Sequence, residues 1–211
     1  MYDLGPHLEH ATVDPGSNIL VSGPPLTGKV RLATETLAYG TREGHGVIIV
    51  TTRDSARRVL DDFEVLVDDP ESVNVGIVDC VTKHQGRSAQ DTEVVKYASS
   101  PEDMTGIGIK FSEFVEEFQT SRGVERIRVV FDSLTPLLMY SDLQTVFQFM
   151  HVFTSRIDNA GAVALYVIDS TAHEAETANT LKQLFDGVIE TDEATTITAT
   201  LPGVDLDRIE P

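Results

Sequence analysis

The sequence predicts an α/β fold: a mostly parallel central sheet with helices on both faces, and an antiparallel edge strand added at the C-terminus. Three observations predict it. Short β-branched runs alternate along the chain with longer segments of helical spacing. Several of the runs are apolar at consecutive positions, as in Val47-Ile48-Ile49-Val50, which suits strands covered on both faces. A chain of 211 residues with 41% apolar side chains is also large enough to bury a sizeable core, so a single domain over residues 1–211 is expected.

Taken in order, the expected strands are Asn18 to Ser22, Gly46 to Thr51, Val73 to Asp79, Arg126 to Asp132, Ala162 to Asp169 and Gly187 to Thr191. A helix follows the first, running through Leu37. Val59, Leu60, Phe63 and Leu66 make an apolar stripe at helical spacing, as do Phe111, Phe114, Val115 and Phe118, and later Val146, Phe149, Met150, Phe153 and Ile157. All three stripes read as helix faces packed on the sheet. Thr195 to Leu201 alternates after Asp192-Glu193 and reads as a hairpin strand added antiparallel at one edge. In a sheet of this kind, ligands bind at the C-terminal ends of the parallel strands.

The connection from Cys80 to Gly108 lacks clear periodicity and is longer than compact domains usually allow, which makes it a candidate functional segment. Within it, Ser100-Pro101-Glu102-Asp103 has the form of a helix start, with Ser100 as N-cap. Cys80 and His84 fall short of the four ligands of a structural zinc, and Cys80 reads as an accessible loop thiol.

The chemistry concentrates after the first strand. Gly23-Pro24-Pro25-Leu26-Thr27-Gly28-Lys29-Val30 has the spacing G-x-x-x-x-G-K between a strand and a helix, the context a phosphate-binding loop requires. Backbone amides and the helix N-terminus would face phosphate oxygens, and Lys29 would add a point charge. Val30 departs from the pattern, because the Ser or Thr usual there offers Mg²⁺ a hydroxyl. Arg128-Val129-Val130-Phe131-Asp132-Ser133 is an apolar strand ending in a carboxylate, the form of the partner motif whose Asp holds Mg²⁺. The candidate nucleotide-binding residues are therefore Gly23 to Val30, Asp132 and Ser133, with Asp132 as the candidate metal ligand.

With these motifs the chain resembles the RecA superfamily, and within it the KaiC-like ATPases. Leu184-Phe185-Asp186-Gly187-Val188-Ile189-Glu190 extends the likeness toward the C-terminus. Val78-Asp79-Cys80-Val81, Ser100 to Gly108 and Leu137 to Leu143 look like a small group of KaiC-like proteins from halophilic archaea, loosely labelled recombinase-like or transducer-like. The resemblance implies a RecA-type core and a nucleotide site. Relatives place one or two Glu residues just after the second strand to polarise the attacking water; here Arg53 and Asp54 stand at those positions. Asp54 is then the candidate catalytic base, and an N-cap role for the next helix explains it equally well. Asp169 or His173, at the end of a central strand, stands where relatives sense the terminal phosphate.

Charge narrows the function classes. Acids number 34 against 16 bases, eleven Arg and five Lys, for a net charge of -18. So acidic a surface suits concentrated salt, and it opposes DNA or anionic lipid as a partner, since phosphate binding needs clustered cations. The cationic clusters Arg53/Arg57/Arg58 and Arg122/Arg126/Arg128 are small. The N-terminal residues lack the pattern of a signal peptide, no apolar run spans a bilayer, and the lone Cys80 allows no internal disulfide, so a cytoplasmic location is expected. The leading expectation is an ATP- or ADP-binding protein with degenerate Mg²⁺ and water-activating positions, a slow ATPase or nucleotide-gated regulatory switch in signalling. Its partner would be a protein or further copies of the chain. The alternatives are a competent ATPase working in an oligomer on a partner or DNA, and a scaffold that keeps the fold for protein contacts.

Overall fold

The computed structural model describes residues 1–209. A short antiparallel pair, β1 (Tyr2–Asp3) and β2 (Thr12–Val13), precedes the main sheet. The chain then alternates: β3 (Asn18–Gly23), α1 (Lys29–Thr41), β4 (Gly46–Thr51), α2 (Ala56–Glu64), β5 (Val75–Asp79), β6 (Val95–Tyr97), α3 (Met104–Glu116), β7 (Ile127–Phe131), α4 (Thr135–Tyr140), α5 (Leu143–Ala160), β8 (Val163–Asp169), α6 (Ala175–Lys182) and β9 (Gly187–Thr191). An antiparallel pair, β10 (Ile197–Leu201) and β11 (Val204–Ile209), closes it. Among the described residues the sheet has nine strands in the order β11-β10-β9-β3-β8-β7-β4-β5-β6, parallel from β9 to β6.

Strand β3, which feeds the phosphate loop, therefore lies between β8 and β9, and β7 stands between β8 and β4. The three strands β3, β8 and β7 send their C-terminal ends to one edge of the sheet, with β4 beside them. All six residues of β3 and of β4 are buried, as consecutive apolar positions require when helices cover both faces. One face packs Leu32 and Leu37 of α1, Phe63 of α2 and the N-terminal Leu4 and Leu8 on Ile19, Val47 and Val130. The other packs Phe111 and Phe114 of α3, Met150 and Phe153 of α5 and Leu181 of α6 on Leu20, Ile48 and Val129. Fully burying each such side chain is worth about 1.5–3 kcal/mol, and the aromatic rings of Phe111, Phe131, Phe149 and Phe153 interlock at centroid distances of 4.7 to 6.4 Å.

Several expectations need correction. The outermost strand is β11, with β10 inside it; Gly203 takes a left-handed φ of 78° in the turn between them, and the acids that alternate in the sequence Val204-Asp205-Leu206-Asp207 hide the strand in a polar stretch. The Cys80–Gly108 connection contains β6, which pairs with β5 and ends the sheet. Helix α3 starts at Met104 with Asp103 as its N-cap: Gly106 N donates to Asp103 Oδ1 at 2.8 Å, and the Ser99 hydroxyl donates to Oδ2. Ser100 therefore does not cap it. Cys80 is buried completely, and burial among carboxylates pushes its thiol well up, so it is not an accessible thiol.

Arg128 is no member of a surface cluster either. On β7 its side chain points under α1 with no exposed area, and it donates from Nε to His45 Nδ1 (3.0 Å), from Nη1 to Thr36 O (2.9 Å) and from Nη2 to Asp3 O (2.7 Å). A buried guanidinium needs such acceptors. It thereby ties the N-terminal segment, α1 and β7 into one packed layer.

Candidate functional site

The turn from β3 into α1 is set by glycine at both ends. Gly28 adopts φ 79° as the N-cap residue of α1, where a Cβ would meet no protein atom within 4 Å, so its backbone conformation is what requires glycine within the chain. At Gly23 a Cβ would collide with Thr191 Oγ1. Thr191, at the end of β9, also lies 2.6 Å from Thr27 Oγ1, and Thr27 Oγ1 donates to Pro24 O at 2.9 Å. The loop is thus held to the neighbouring strand while Leu26, at φ 64°, projects fully exposed.

Lys29 opens α1 with only 7% of its surface exposed. Its ammonium donates to Pro24 O at 2.6 Å. Burial lowers its pKa, the carboxylate of Asp169 raises it, and Arg53 lowers it again. Those three charges share one cavity of about 560 Å³, lined by Pro25, Leu26, Gly28, Lys29 and Val30 on one side. Arg53 from the end of β4, Ser133 and Thr135 from the end of β7, and Asp169 from the end of β8 line the rest. That volume is within the range of small-molecule sites, and the location is the one expected at the C-terminal ends of parallel strands. Thr27 lines a second cavity of about 280 Å³ across the loop, with His7, Glu35 and Thr191, which touches the first at Gly28 and Arg31. Gly23 and Pro24 back the loop against Glu190 and Asp192.

The two remaining candidates stand apart from the cavity. Asp132 follows β7 and is 6% exposed, but its carboxylate faces β4: Oδ2 lies 2.7 Å from Thr51 Oγ1, and Oδ1 accepts from Thr52 N at 2.9 Å. Burial raises its pKa to about 6, although the bonds from Thr52 and Thr51 and the charge of Arg53 pull the other way. Asp54 is paired with Arg58 Nη1 at 3.2 Å and Arg53 Nη2 at 3.8 Å. Nor does it cap α2, whose N-cap is Ser55 and whose Ala56 N donates to buried Asp79 Oδ2 at 2.7 Å.

Asp169 is the acid that does line the cavity. Its Oδ1 accepts from Thr171 N and Oγ1, and with the charge of Lys29 these bonds hold its carboxyl below the usual range despite the opposing cost of burial. His173 Nε2 is buried without a partner among the described residues, and burial lowers its pKa against the opposing charge of Asp169. Thr135 and Thr191 carry no chemistry in the sequence pattern; Thr135 lines the cavity because β7 ends beside β8, and Thr191 meets the loop because β9 pairs with β3, while Thr51 and Thr52 hold Asp132.

Residues 16–191 match the model of a family described as a family of unknown function, DUF7504. The chain belongs to this family. No curated protein matches it. Among solved structures, this DUF7504 protein is similar to the KaiC-like protein PH0186 from the hyperthermophilic archaeon Pyrococcus horikoshii OT3, at 14% identity and a TM-score of 0.61, over 92% of this chain and 81% of that one. At that identity the likeness shows the fold, which is RecA-like with the KaiC-like arrangement expected from the sequence.

The donor set fits polyphosphate better than it fits a divalent cation. Gly28, Lys29 and Arg53 line the cavity, and the groups they carry at the start of α1 and after β4, backbone amides, an ammonium and a guanidinium, are donors, as an anion requires. For Mg²⁺, which takes six oxygens, Val30 offers none and is packed against the core, and the Asp132 oxygens already accept from Thr52 and face Thr51. Ser133, Thr135 and Asp169 are the lining residues that carry side-chain oxygens.

Proposed function

We propose that this DUF7504 protein binds a nucleoside triphosphate, ATP or its product ADP, at the phosphate loop, and acts as a slow ATPase or nucleotide-gated switch. The observation that carries this reading is the cavity at the strand ends, lined by Lys29, the first residues of α1 and Arg53. In it the loop amides and Lys29 hold phosphate oxygens, and Arg53 adds a second cation. Mg²⁺ bound with the nucleotide would neutralise phosphate charge, with Ser133, Thr135 and Asp169 as the nearest oxygens and Asp132 able to act only after its bonds to Thr51 and Thr52 rearrange.

Slow hydrolysis follows from what stands beside the phosphates. A water attacks efficiently when a carboxylate accepts its proton and holds it in line. Arg53 is a cation and accepts nothing, while Asp54 is paired with Arg58 and Arg53 and does not line the cavity. Turnover below the roughly 1–1000 per second of typical enzymes is expected. The output of such a switch would be contact with a protein partner or with further copies of the chain, in the cytoplasm of a cell that accumulates salt.

Calorimetry with ATP on the intact protein tests the reading. Lys29→Ala removes the loop's cation, and ATP affinity should fall at least tenfold, about 1.4 kcal/mol. Equal affinity in wild type and variant would mean that the loop is only a turn. Phosphate release by the wild type at ordinary enzyme rates would replace the switch with a competent ATPase.

A further inference from the structure

Arg53 occupies the place of a carboxylate, and its surroundings give it a task of its own. Three cations line the 560 Å³ cavity, Lys29, Arg31 and Arg53, against one acid, Asp169, in a chain whose net charge is -18. Arg31 is bound to Glu35 at 2.7 Å, and the Lys29 ammonium to Pro24 O. Arg53 is different: its side chain is 45% exposed, and its ion-pair contact among the described residues is Asp54 at 3.8 Å, the outer edge of such contacts. Its guanidinium is thus the uncommitted cation of the cavity.

Position adds a direction. Arg53 follows β4, three strands away from β3 in the order β3-β8-β7-β4, which is about 14 Å across the sheet at the usual strand spacing. The loop and Arg53 therefore reach into the cavity from opposite sides. With two phosphates on the loop amides and Lys29, a third would extend the ligand across the cavity whose other wall carries Arg53. Burial first and the charge of Arg53 after it lower the pKa of Lys29, and the opposition between the two cations is relieved when a polyanion lies between them. We infer that Arg53 is a specificity-determining residue, pairing its two-pronged guanidinium with the terminal phosphate so that the site prefers a nucleoside triphosphate to a diphosphate. This rests on the nucleotide reading above. It makes the residue that removes water activation the one that distinguishes the loaded state from the spent one.

The experiment measures binding of a non-hydrolysable ATP analogue and of ADP, each with Mg²⁺, to intact wild type, Arg53→Ala, Arg53→Lys and Lys29→Ala. Wild type should favour the triphosphate by about tenfold or more, the strength of one charge-assisted bidentate pair. Arg53→Ala should bring the two ligands near parity, with ADP affinity changed by less than about twofold and the melting temperature unmoved. Arg53→Lys should keep part of the preference, because it retains a charge without the fork. Lys29→Ala should weaken both ligands. A structural role for Arg53 would shift stability or both affinities alike, so equal losses in Arg53→Ala, or an intact preference, overturns the inference while leaving nucleotide binding in place. Wild type that binds both ligands equally overturns it as well. Wild type that binds neither overturns the nucleotide reading and this inference together.

Discussion

In Asp132 and His45 burial is the largest influence on the chemistry of a single side chain. Burial lifts Asp132 to about 6, whereas burial and the adjacent Arg128 push His45 down to about 4. The two act on stability with opposite sign. In the unfolded chain Asp132 has a carboxyl of ordinary acidity, so between about pH 6 and 4 the folded form binds more protons and gains stability as pH falls. His45 titrates near 6.5 when unfolded, so across nearly the same window the unfolded form binds more protons and stability is lost as pH falls. Asp132→Asn deletes the first contribution and leaves the second. Its stability relative to wild type should decline as pH falls from 7 to 5, measured as denaturant midpoints at the two values. A constant difference would mean that Asp132 titrates at its ordinary value in the fold.

At the scale of elements, α1 shows why its glycines differ. Gly28 is required by a left-handed φ, whereas Gly40 lies where a Cβ would land on Nε and Cδ of Arg128. The guanidinium cannot retreat, since it is buried and bound to His45, Thr36 O and Asp3 O. Gly40→Ala should therefore cost about 2 kcal/mol, lowering Tm by roughly 4–8 °C, even though alanine is the better helix former. A melting scan within about 1 °C of wild type would show that α1 shifts freely over β7. Because α1 also carries Lys29 at its first turn, nucleotide affinity is expected to follow this packing.

The whole molecule carries its -18 charge on a surface where ion pairs such as Arg42 with Asp68 and Arg58 with Asp62 are largely exposed. Exposed pairs contribute little, about 0–1 kcal/mol each, and they do not balance the excess of acids. Repulsion among those carboxylates is screened over about 10 Å at 0.1 M salt and about 3 Å at 1 M. Thermal stability should therefore rise as KCl increases from dilute to molar concentration, followed by calorimetric or fluorescence melting. A Tm that stays flat or falls would remove the case for a salt-adapted protein. Across this acidic surface, the cavity with Lys29, Arg31 and Arg53 is a local exception, which is what a polyanion ligand needs.

The class of sheet and the phosphate loop are legible in local pattern. Runs such as Val47-Ile48-Ile49-Val50 are apolar at every position, and only a strand covered on both faces buries them all. Gly23 to Lys29 is likewise local: its spacing and its placement between strand and helix are properties of adjacent residues. Tertiary structure decided which polar groups meet. That Asp132 turns to Thr51 and Thr52 depends on β7 lying next to β4, and that Arg53 and Asp169 share a cavity with Lys29 depends on the order of strands β3, β8, β7 and β4. The same holds for Arg128, which looks like one of a surface cluster in the chain and becomes a buried clamp under α1. Periodicity reports which face of an element is buried; it carries no information on what the neighbouring element places opposite, and that pairing sets the charge, the hydrogen bonds and the pKa values of the site.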